Sequence, residues 1–472
     1  MCKKEHKQTK LTLHPLQYFH SFFLLLREKV SEGRMRSRGL GGLFLLCSTL
    51  TINAEGIYDL KRCLETGLEQ NYEIRIVRNT QQISDNNVTL ANAGYLPNLN
   101  ASAGYSGTLN DITQHPAAGT PIKDSGIHNQ TLNAGVNLNW TVFDGFNIQT
   151  NYSRLKELQQ TGELQTRLTI ENFIANLSGE YYNYVQQTIR FNNLKSAVKL
   201  SKERLRIVEA RYNIGSLSRL DLQQAKVDFN TDSSRLIRQQ EVLYTSRIKL
   251  NQLMALKDIN RSLEIADTVI VINSLISKDE MLGKMLTANS FLLLAEKEKT
   301  LSILDLKAAQ SENYPYLRLN AGYGFTRNNY DIGTYTRQDQ LGLNYGITLG
   351  FNLFDGNRFR KQKNAKIQIE NRELAYQELE LSLKSDFSNL WMAYQNNVEL
   401  TKLEKENLQT AGENYEIAIE RYKLGDLSGL ELREAQNSLL EAEERLVQAQ
   451  YNTKLCEISL MQISGQIAGY LE

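Results

Sequence analysis

The chain has 472 residues, with 54 Lys and Arg, 53 Asp and Glu and a formal net charge of +1 at pH 7. This balance excludes the strongly basic surface expected of a nucleic-acid-binding protein. The five histidines are at positions 6, 14, 20, 115 and 128, and the sequence has no phosphate-cradling glycine loop. The sequence therefore predicts neither an enzyme nor a cofactor or metal site.

Residues 1–54 are predicted to be an export leader. Two arginines, Arg36 and Arg38, precede the apolar run 40–52, and the small residue Ala54 follows it. This order is typical of a secretory signal that is cut after Ala54. Residues 1–34 lie upstream of the signal, and the sequence leaves open whether they are translated.

Cysteine usage is that of an exported chain without a disulfide framework. Cys47 lies in the apolar run, but the bulky Leu45 and Leu46 before it disfavour cleavage to a lipid-anchored cysteine. Beyond the leader only Cys63 and Cys456 remain, and a bridge between them stays open. That part of the chain carries 45 basic and 50 acidic side chains, a net charge of −5. It has no apolar stretch of about 18 residues, so a spanning helix is not expected.

A long duplication organises the rest of the chain. The strings RYNIGSLSRLDL and RYKLGDLSGLEL begin at Arg211 and Arg421, 210 residues apart. The shorter landmarks Ala-Gly-Tyr and Phe-Asp-Gly precede each string in the same order. A period of this length indicates a duplicated domain-sized unit. We predict a first structural repeat at 55–264 and a second at 265–472, together forming one body.

Four segments alternate apolar and polar residues with a period of two, at 99–109, 132–142, 317–325 and 341–353. Their polar faces are mostly Asn, Thr, Ser and Gly. Segments of about ten residues with one apolar and one uncharged polar face are typical of strands with lipid outside and water inside. A half-buried soluble sheet shows the same alternation, but the leader and the aromatic residues near strand ends favour a membrane.

Aromatic residues and loops complete this prediction of membrane strands. Tyr105, Trp140 and Tyr323 are candidate membrane-interface anchors, or else ordinary strand aromatics. The polar segments 110–129 and 327–339 are predicted to be extracellular loops.

Four strands cannot stand alone in lipid, because both edge strands would keep unpaired N–H and C=O groups. The smallest membrane barrels have about eight strands, so several copies must each contribute a four-stranded sheet. Two copies would form a barrel filled by side chains, and three would form twelve strands around a water-filled lumen. The polar inner face favours three copies.

The remaining sequence predicts unusually long helices. None of the five prolines lies between 122 and 314 or after 315. Residues 147–212 form one helical stretch, which at 1.5 Å per residue would reach on the order of 100 Å. Gly215 and Gly425 are predicted to end the inbound helices, and the returning helices carry an apolar and small-residue heptad seam. The candidate N-caps of the returning helices are Ser216, Ser218, Asp426 and Ser428.

In their order and duplication these motifs resemble the TolC family of outer-membrane efflux and secretion channels. The resemblance covers nearly all of the chain beyond the leader, from the opening YDLKRCLETGLEQNYEIRIVRN through Tyr-Leu-Pro-Asn-Leu, both Phe-Asp-Gly strand exits and both Arg-Tyr-x-x-Gly-x-x-Ser tips. It implies an α+β membrane protein: a homotrimer whose twelve-stranded β-barrel, four strands per chain, continues into a long α-helical coiled-coil tunnel in the periplasm. It also implies docking to a periplasmic adaptor protein and, through it, to an inner-membrane pump of the RND, ABC or MFS type.

The resemblance further implies a gate near the second hairpin tip. The gate candidates are Glu431, Glu434, Asp221 and Tyr422. Leu427 stands where the well-studied channel of the family has an arginine, so the ionic part of that lock is expected to be missing. The alternatives are a solvated helix face for the two glutamates and a helix cap for Asp221.

The tips are also the expected docking surface for the adaptor. The candidate docking residues are Arg211, Tyr212, Gly215, Leu217, Ser218, Arg421, Gly425, Leu427 and Ser428. Leu217 and Leu427 are favoured as contacts, because an exposed apolar residue at a loop apex has little packing reason to be there.

Taken together, the strands and hairpins favour one function. A plain porin needs no pair of helical hairpins of this length, and a structural stalk needs no strands with polar and apolar faces. We therefore expect the passive, gated outer-membrane exit duct of a tripartite efflux pump or type I secretion system. A porin-like or structural trimer without a pump is the alternative, and the sequence leaves the transported substrate open.

Overall fold

The computed structural model describes residues 58–272 and 277–471. The predicted leader, with the proposed cut after Ala54 and the possible lipid site at Cys47, lies outside the described residues. No described helix is long and apolar enough to cross a membrane.

The order of elements repeats once along the chain. The first half contains α1 (Leu60–Gln70), α2 (Tyr72–Asn87), α3 (Leu90–Ala93), β1 (Asn98–Gln114), β2 (Ile122–Asp144), α4 (Asn147–Asn213) and α5 (Arg219–Leu253). The second half contains α6 (Lys278–Ala288), α7 (Ser290–Ser311), β3 (Tyr316–Asn329), β4 (Arg337–Gly350), α8 (Gly356–Leu424), α9 (Gly429–Ile463) and the 3₁₀ helix Ile467–Leu471. The predicted boundary between 264 and 265 falls between α5 and α6 and stays a prediction.

The four strands form one antiparallel sheet in the order β1-β2-β3-β4. Residues paired across antiparallel strands lie on the same face. One row joins Ala101 through Val136 and Tyr323 to Leu343, and the neighbouring row joins Asn100 through Asn137 and Gly322 to Asn344. Apolar and polar rows therefore alternate across the whole sheet, which confirms the predicted two-faced strands.

The two strand connections are shorter than predicted. The β1–β2 ladder continues to the pair Gln114 and Ile122, and the β3–β4 ladder to the pair Asn329 and Arg337. Only 115–121 and 330–336 lie between the strands, so the loop predictions of 110–129 and 327–339 were too long. Backbone hydrogen bonds extend the ladders through residues whose polar side chains gave no alternating signal.

The strand register shows where the three candidate interface aromatics lie along the strands, between the two ends of the sheet. Trp140 pairs with Leu319 near the end of the sheet that is joined to the helices. Its Nε1–H donates to the carbonyl oxygen of Tyr95 at 2.9 Å. Tyr105 lies in the row that ends in the Arg327–Asp339 ion pair. These two rows are eight residues apart on β2, on the order of 27 Å along a strand. Tyr323 lies between them, which favours its interpretation as an ordinary strand aromatic.

Two helical hairpins extend from the sheet. The inbound helices α4 and α8 have 67 and 69 residues, and each is followed by a returning helix of 35 residues. At about 1.5 Å per residue α4 is on the order of 100 Å long, which confirms the predicted rods. Helices α2, α4, α7 and α8 pack side by side in that order, and α9 packs against α4.

The short helices α1 and α6 pack against the middle of the long helices and complete the hydrophobic core there. A Cβ atom on Gly67 of α1 would lie 2.5 Å from the ring of Phe173 on α4, so only glycine permits this approach. On the other side, Met285, Phe387 and Leu460 are fully buried in a cluster shared by α6, α8 and α9. The hairpins are therefore fixed at their middle, and their tips extend beyond the fixed part.

A buried ion pair joins the two hairpins closer to the tips. Arg433 on α9 donates from Nη1 and Nη2 to both oxygens of Asp232 on α5, at 2.6 and 2.7 Å. Ser201 on α4 also donates to this carboxylate. Burial pushes the pKa of Asp232 upward, but the hydrogen bonds from Arg433 and Ser201 outweigh it and hold the pKa below the ordinary value. This contribution to stability is complete above about pH 4 and is lost as the pH falls through the lower folded-state value.

Replacing Asp232 by alanine leaves the buried guanidinium of Arg433 without its carboxylate. Removing one partner of a buried ion pair costs about 3–5 kcal/mol, so we expect a clearly lower melting temperature of the helical circular-dichroism signal in detergent. Glu399→Ala is the matched control, because Glu399 and Lys402 form an exposed pair at 2.7 Å and such pairs contribute about 0–1 kcal/mol. Equal melting temperatures for the two variants would contradict this role of Asp232.

Candidate docking and gate site at the hairpin tips

Both hairpin tips turn at a glycine in the left-handed region, with φ of 79° at Gly215 and 90° at Gly425. The N–H of Ser216 donates to the carbonyl oxygen of Arg211 at 2.9 Å, and the N–H of Asp426 to that of Arg421 at 3.0 Å. These bonds satisfy the last carbonyls of each inbound helix, and glycine adopts the required backbone at little cost. The two predicted turn glycines are confirmed.

The returning helices begin in the same way at both tips. Ser218 and Ser428 are the N-caps, which decides between the predicted alternatives. The hydroxyl of Ser218 accepts from the N–H of Asp221 at 3.2 Å, while the N–H of Ser218 donates to the Asp221 carboxylate at 3.0 Å. Ser428 and Glu431 repeat this capping box at 3.2 and 2.9 Å. Such reciprocal bonds satisfy free N–H groups at the helix start.

The capping boxes occupy two of the four gate candidates. The hydroxyl and then the N–H of Ser218 hold the pKa of Asp221 below its ordinary value, and the same groups of Ser428 do so for Glu431. Both carboxylates are thus charged parts of the turns. Glu434 is exposed, and among the described residues it forms no hydrogen bond or ion pair with another side chain. Glu434 is therefore the glutamate of the pair that is left free to act elsewhere.

The fourth gate candidate, Tyr422, is buried where the two hairpins meet. Its ring packs with Leu432 and Ala435 of its own hairpin. The guanidinium carbon of Arg211 lies 5.3 Å from the centre of this ring, and Arg211 Nη2 donates to the carbonyl oxygen of Lys423 at 3.4 Å. In the described part of the chain no hydrogen bond joins Tyr422 to Asp221. Arg211 is thus engaged in a contact between hairpins, and the gate role of these residues stays a prediction.

Leu217 and Leu427 are not fully exposed, so the expectation that they have little packing reason to be apolar was wrong. Both are half-buried: Leu217 packs against Val208 and Leu222, and Leu427 packs against the Tyr422 cluster. The turn folds each leucine back onto its own hairpin, a direction that the one-dimensional sequence does not contain. Each leucine therefore has a structural reason to be apolar, independent of any adaptor.

Other apolar side chains form the exposed surface of the tips. They are Ile214 (81% exposed), Leu220 (76%), Leu424 (79%) and Leu430 (75%). Sequence reasoning missed all four, although the duplication contains the signal: both repeats place an apolar residue one before and five after the turn glycine. Six further docking candidates are also exposed: Tyr212, Gly215, Ser218, Arg421, Gly425 and Ser428.

This arrangement is suited to binding rather than to bond chemistry. Each tip presents two large apolar side chains next to a rigid turn. Exposed apolar clusters with polar rims are typical of protein interaction sites. One chain therefore has two similar exposed apolar surfaces, one at each tip, and their role in docking stays a prediction.

Similarity to known proteins extends over both repeats. A model of the outer membrane efflux protein family matches residues 64–256 and 286–466. The outer membrane efflux protein BepC of Brucella suis is 20% identical over 422 residues, covering 86% of this chain and 85% of the relative. The outer membrane protein TolC of Vibrio cholerae is 21% identical over 396 residues, covering 81% and 84%.

Solved structures share the fold. The Campylobacter jejuni CmeC outer membrane channel matches with a TM-score of 0.72 at 19% identity, covering 86% of this chain and 85% of that one. The Neisseria gonorrhoeae MtrE outer membrane channel in its open state matches with a TM-score of 0.67 at 16% identity, covering 88% and 89%. With both repeats matched, the chain belongs to the outer membrane efflux protein family and is an outer-membrane efflux duct whose helices form a tunnel in the periplasm.

Proposed function

We propose that three copies of the chain form a gated exit duct that docks through its hairpin tips to a periplasmic adaptor and, through the adaptor, to an inner-membrane pump. The observation that carries this proposal is the four-stranded sheet, which has an apolar face and two free edges, β1 and β4. In lipid these edges must be paired. Three copies would join β4 of one to β1 of the next and close twelve strands around a polar lumen.

The helices continue the same two edges. In the row of α2, α4, α7 and α8, the outer members are α2, which leads into the β1 edge, and α8, which follows the β4 edge. Both outer helices leave large apolar side chains exposed, namely Tyr72, Ile76 and Ile83 on α2 and Ile367, Leu374 and Leu381 on α8. A copy that pairs its β4 with a neighbour's β1 would also bring α8 against the neighbour's α2. Spacings of seven residues suit such helix pairing.

The tips support a docked rather than an isolated duct. Four large apolar side chains at the tips are mostly exposed in the described chain: Ile214 and Leu220 on one tip, and Leu424 and Leu430 on the other. Packing within the chain therefore does not explain why these positions are apolar. A trimer would present six such tips at the periplasmic end. A porin without a pump has no use for this surface. The energy for transport would come from the pump, and the duct itself would be passive.

Adaptor docking predicts which tip positions contact another protein. With a photo-crosslinking amino acid at Leu220 or Leu430, we expect cross-links in living cells to a single periplasmic adaptor, identified by mass spectrometry. Leu217 and Leu427 are the matched controls, because they are half-buried against their own hairpins. We expect them to cross-link at least severalfold less. Cross-linking at the control positions alone would contradict docking through the exposed side chains.

The gate prediction now separates the two glutamates. If the carboxylates at the second tip narrow the duct, Glu434→Ala should raise single-channel conductance in planar bilayers severalfold. Glu431→Ala should act mainly on the helix, because it removes half of a capping box worth about 1 kcal/mol. We expect it to lower thermal stability more than it changes conductance. A wide, ungated pore in the unaltered protein would refute the gate.

A further inference from the structure

The two tips carry equivalent apolar clusters, of which only one is complete. The second-hairpin cluster consists of Ala418, Tyr422, Leu432 and Ala435, and Ile207 of the first hairpin packs against it. Arg211, four residues beyond Ile207, lies over the Tyr422 ring at 5.3 Å. One face of the first hairpin thus supplies an isoleucine and an arginine to the second. This contact buries Tyr422 almost completely.

The first-hairpin cluster has the same design but lacks those two contributions. It consists of Val208, Leu222 and Ala225, which lie 210 residues before Ala418, Leu432 and Ala435. The counterpart of Tyr422 is Tyr212, which is 37% exposed. No residue of the described chain plays the part of Ile207 or Arg211 at this cluster.

The missing contributions exist elsewhere on the same chain. The counterparts of Ile207 and Arg211 are Ile417 and Arg421 on the second hairpin. Ile417 is 58% exposed. Arg421 is also exposed, and among the described residues its guanidinium makes one hydrogen bond, at 3.5 Å to the carbonyl oxygen of Asp426, while its charge also helps to lower the pKa of Glu431. The second hairpin therefore ends in an unused copy of the face that the first hairpin uses.

A head-to-tail contact of this kind closes into a ring when the rotation fits. We propose that Ile417 and Arg421 of one copy pack onto Tyr212 of the partner subunit and complete its first-hairpin cluster, with Arg421 over the tyrosine ring. This inference rests on the proposed trimer. The tip ring then contains six Arg–Tyr contacts, three within chains and three between them.

The two kinds of seam differ in strength. Within a chain the seam also contains the Asp232–Arg433 ion pair and Ser201. Their counterparts across the seam between copies are Ala442, Gln223 and Ala411, which cannot form an ion pair. The seam between copies therefore lacks this ion pair, and in the proposed ring the cation–π contact contributes to it together with apolar packing.

Cysteine pairs distinguish the two seams. In a background with Cys2, Cys47 and Cys456 replaced by serine, Arg421→Cys with Tyr212→Cys is treated with a short bis-methanethiosulfonate cross-linker. The linker is needed because side chains of this length separate the Cβ atoms beyond disulfide reach. We expect a covalent trimer on a denaturing, non-reducing gel, reversed by reduction. In the matched pair Arg211→Cys with Tyr422→Cys, the two introduced thiols should be consumed while the protein still runs as a monomer and keeps only the buried thiol of Cys63.

Native mass spectrometry of the same samples separates the possible failures. If the protein is a native trimer and the Arg211/Tyr422 pair closes, but the Arg421/Tyr212 pair yields no covalent trimer, the inference is overturned and the proposed duct stands. If the native protein is a monomer, both are overturned.

Thiol labelling provides a readout that does not depend on cross-linker reach. In the trimer, Ile417→Cys should react with a maleimide at least about tenfold more slowly than Ile214→Cys, because burial protects a thiol from attack. Equal labelling rates in a native trimer would overturn the inference.

Discussion

The architecture of this protein depends on the requirement that backbone N–H and C=O groups be paired in lipid. One chain supplies four strands and leaves β1 and β4 as free edges, so it cannot be a finished membrane structure by itself. Helices α2 and α8 are connected to these two edge strands, and both leave large apolar side chains exposed. Pairing with the same neighbouring copy would cover these side chains. Both the sheet and the helices thus support the proposed association of several copies.

The internal duplication explains why the two hairpin tips are alike. Both tips use the same glycine turn and the same Ser–acid capping box, which makes them rigid and alike. Asp232 and Arg433 join the two hairpins of one chain, whereas their counterparts in the other repeat, Ala442 and Gln223, are uncharged. In the proposed ring, the seam within each chain would therefore contain an ion pair that the seam between chains lacks.

Much of the fold could be predicted from sequence because it depends on local rules. The alternation of apolar and polar residues predicted the two faces of the strands. The absence of proline predicted long helices, and Gly215 and Gly425 predicted where the inbound helices end. The predictions failed where distant segments meet. The ladders beyond Asn110 depend on backbone pairing, the burial of Leu217 and Leu427 depends on the fold-back of the turn, and the Asp232–Arg433 pair depends on how two hairpins pack.

In the proposed duct, three copies close one barrel by joining β4 of each copy to β1 of the next. Electron cryomicroscopy of the purified protein in lipid nanodiscs tests it most directly. We expect a threefold particle with twelve strands, in which β4 of each copy is hydrogen-bonded to β1 of the next and α8 lies against the neighbouring α2. A closed barrel formed by one or two copies, or a trimer whose sheets do not share these edges, would contradict it.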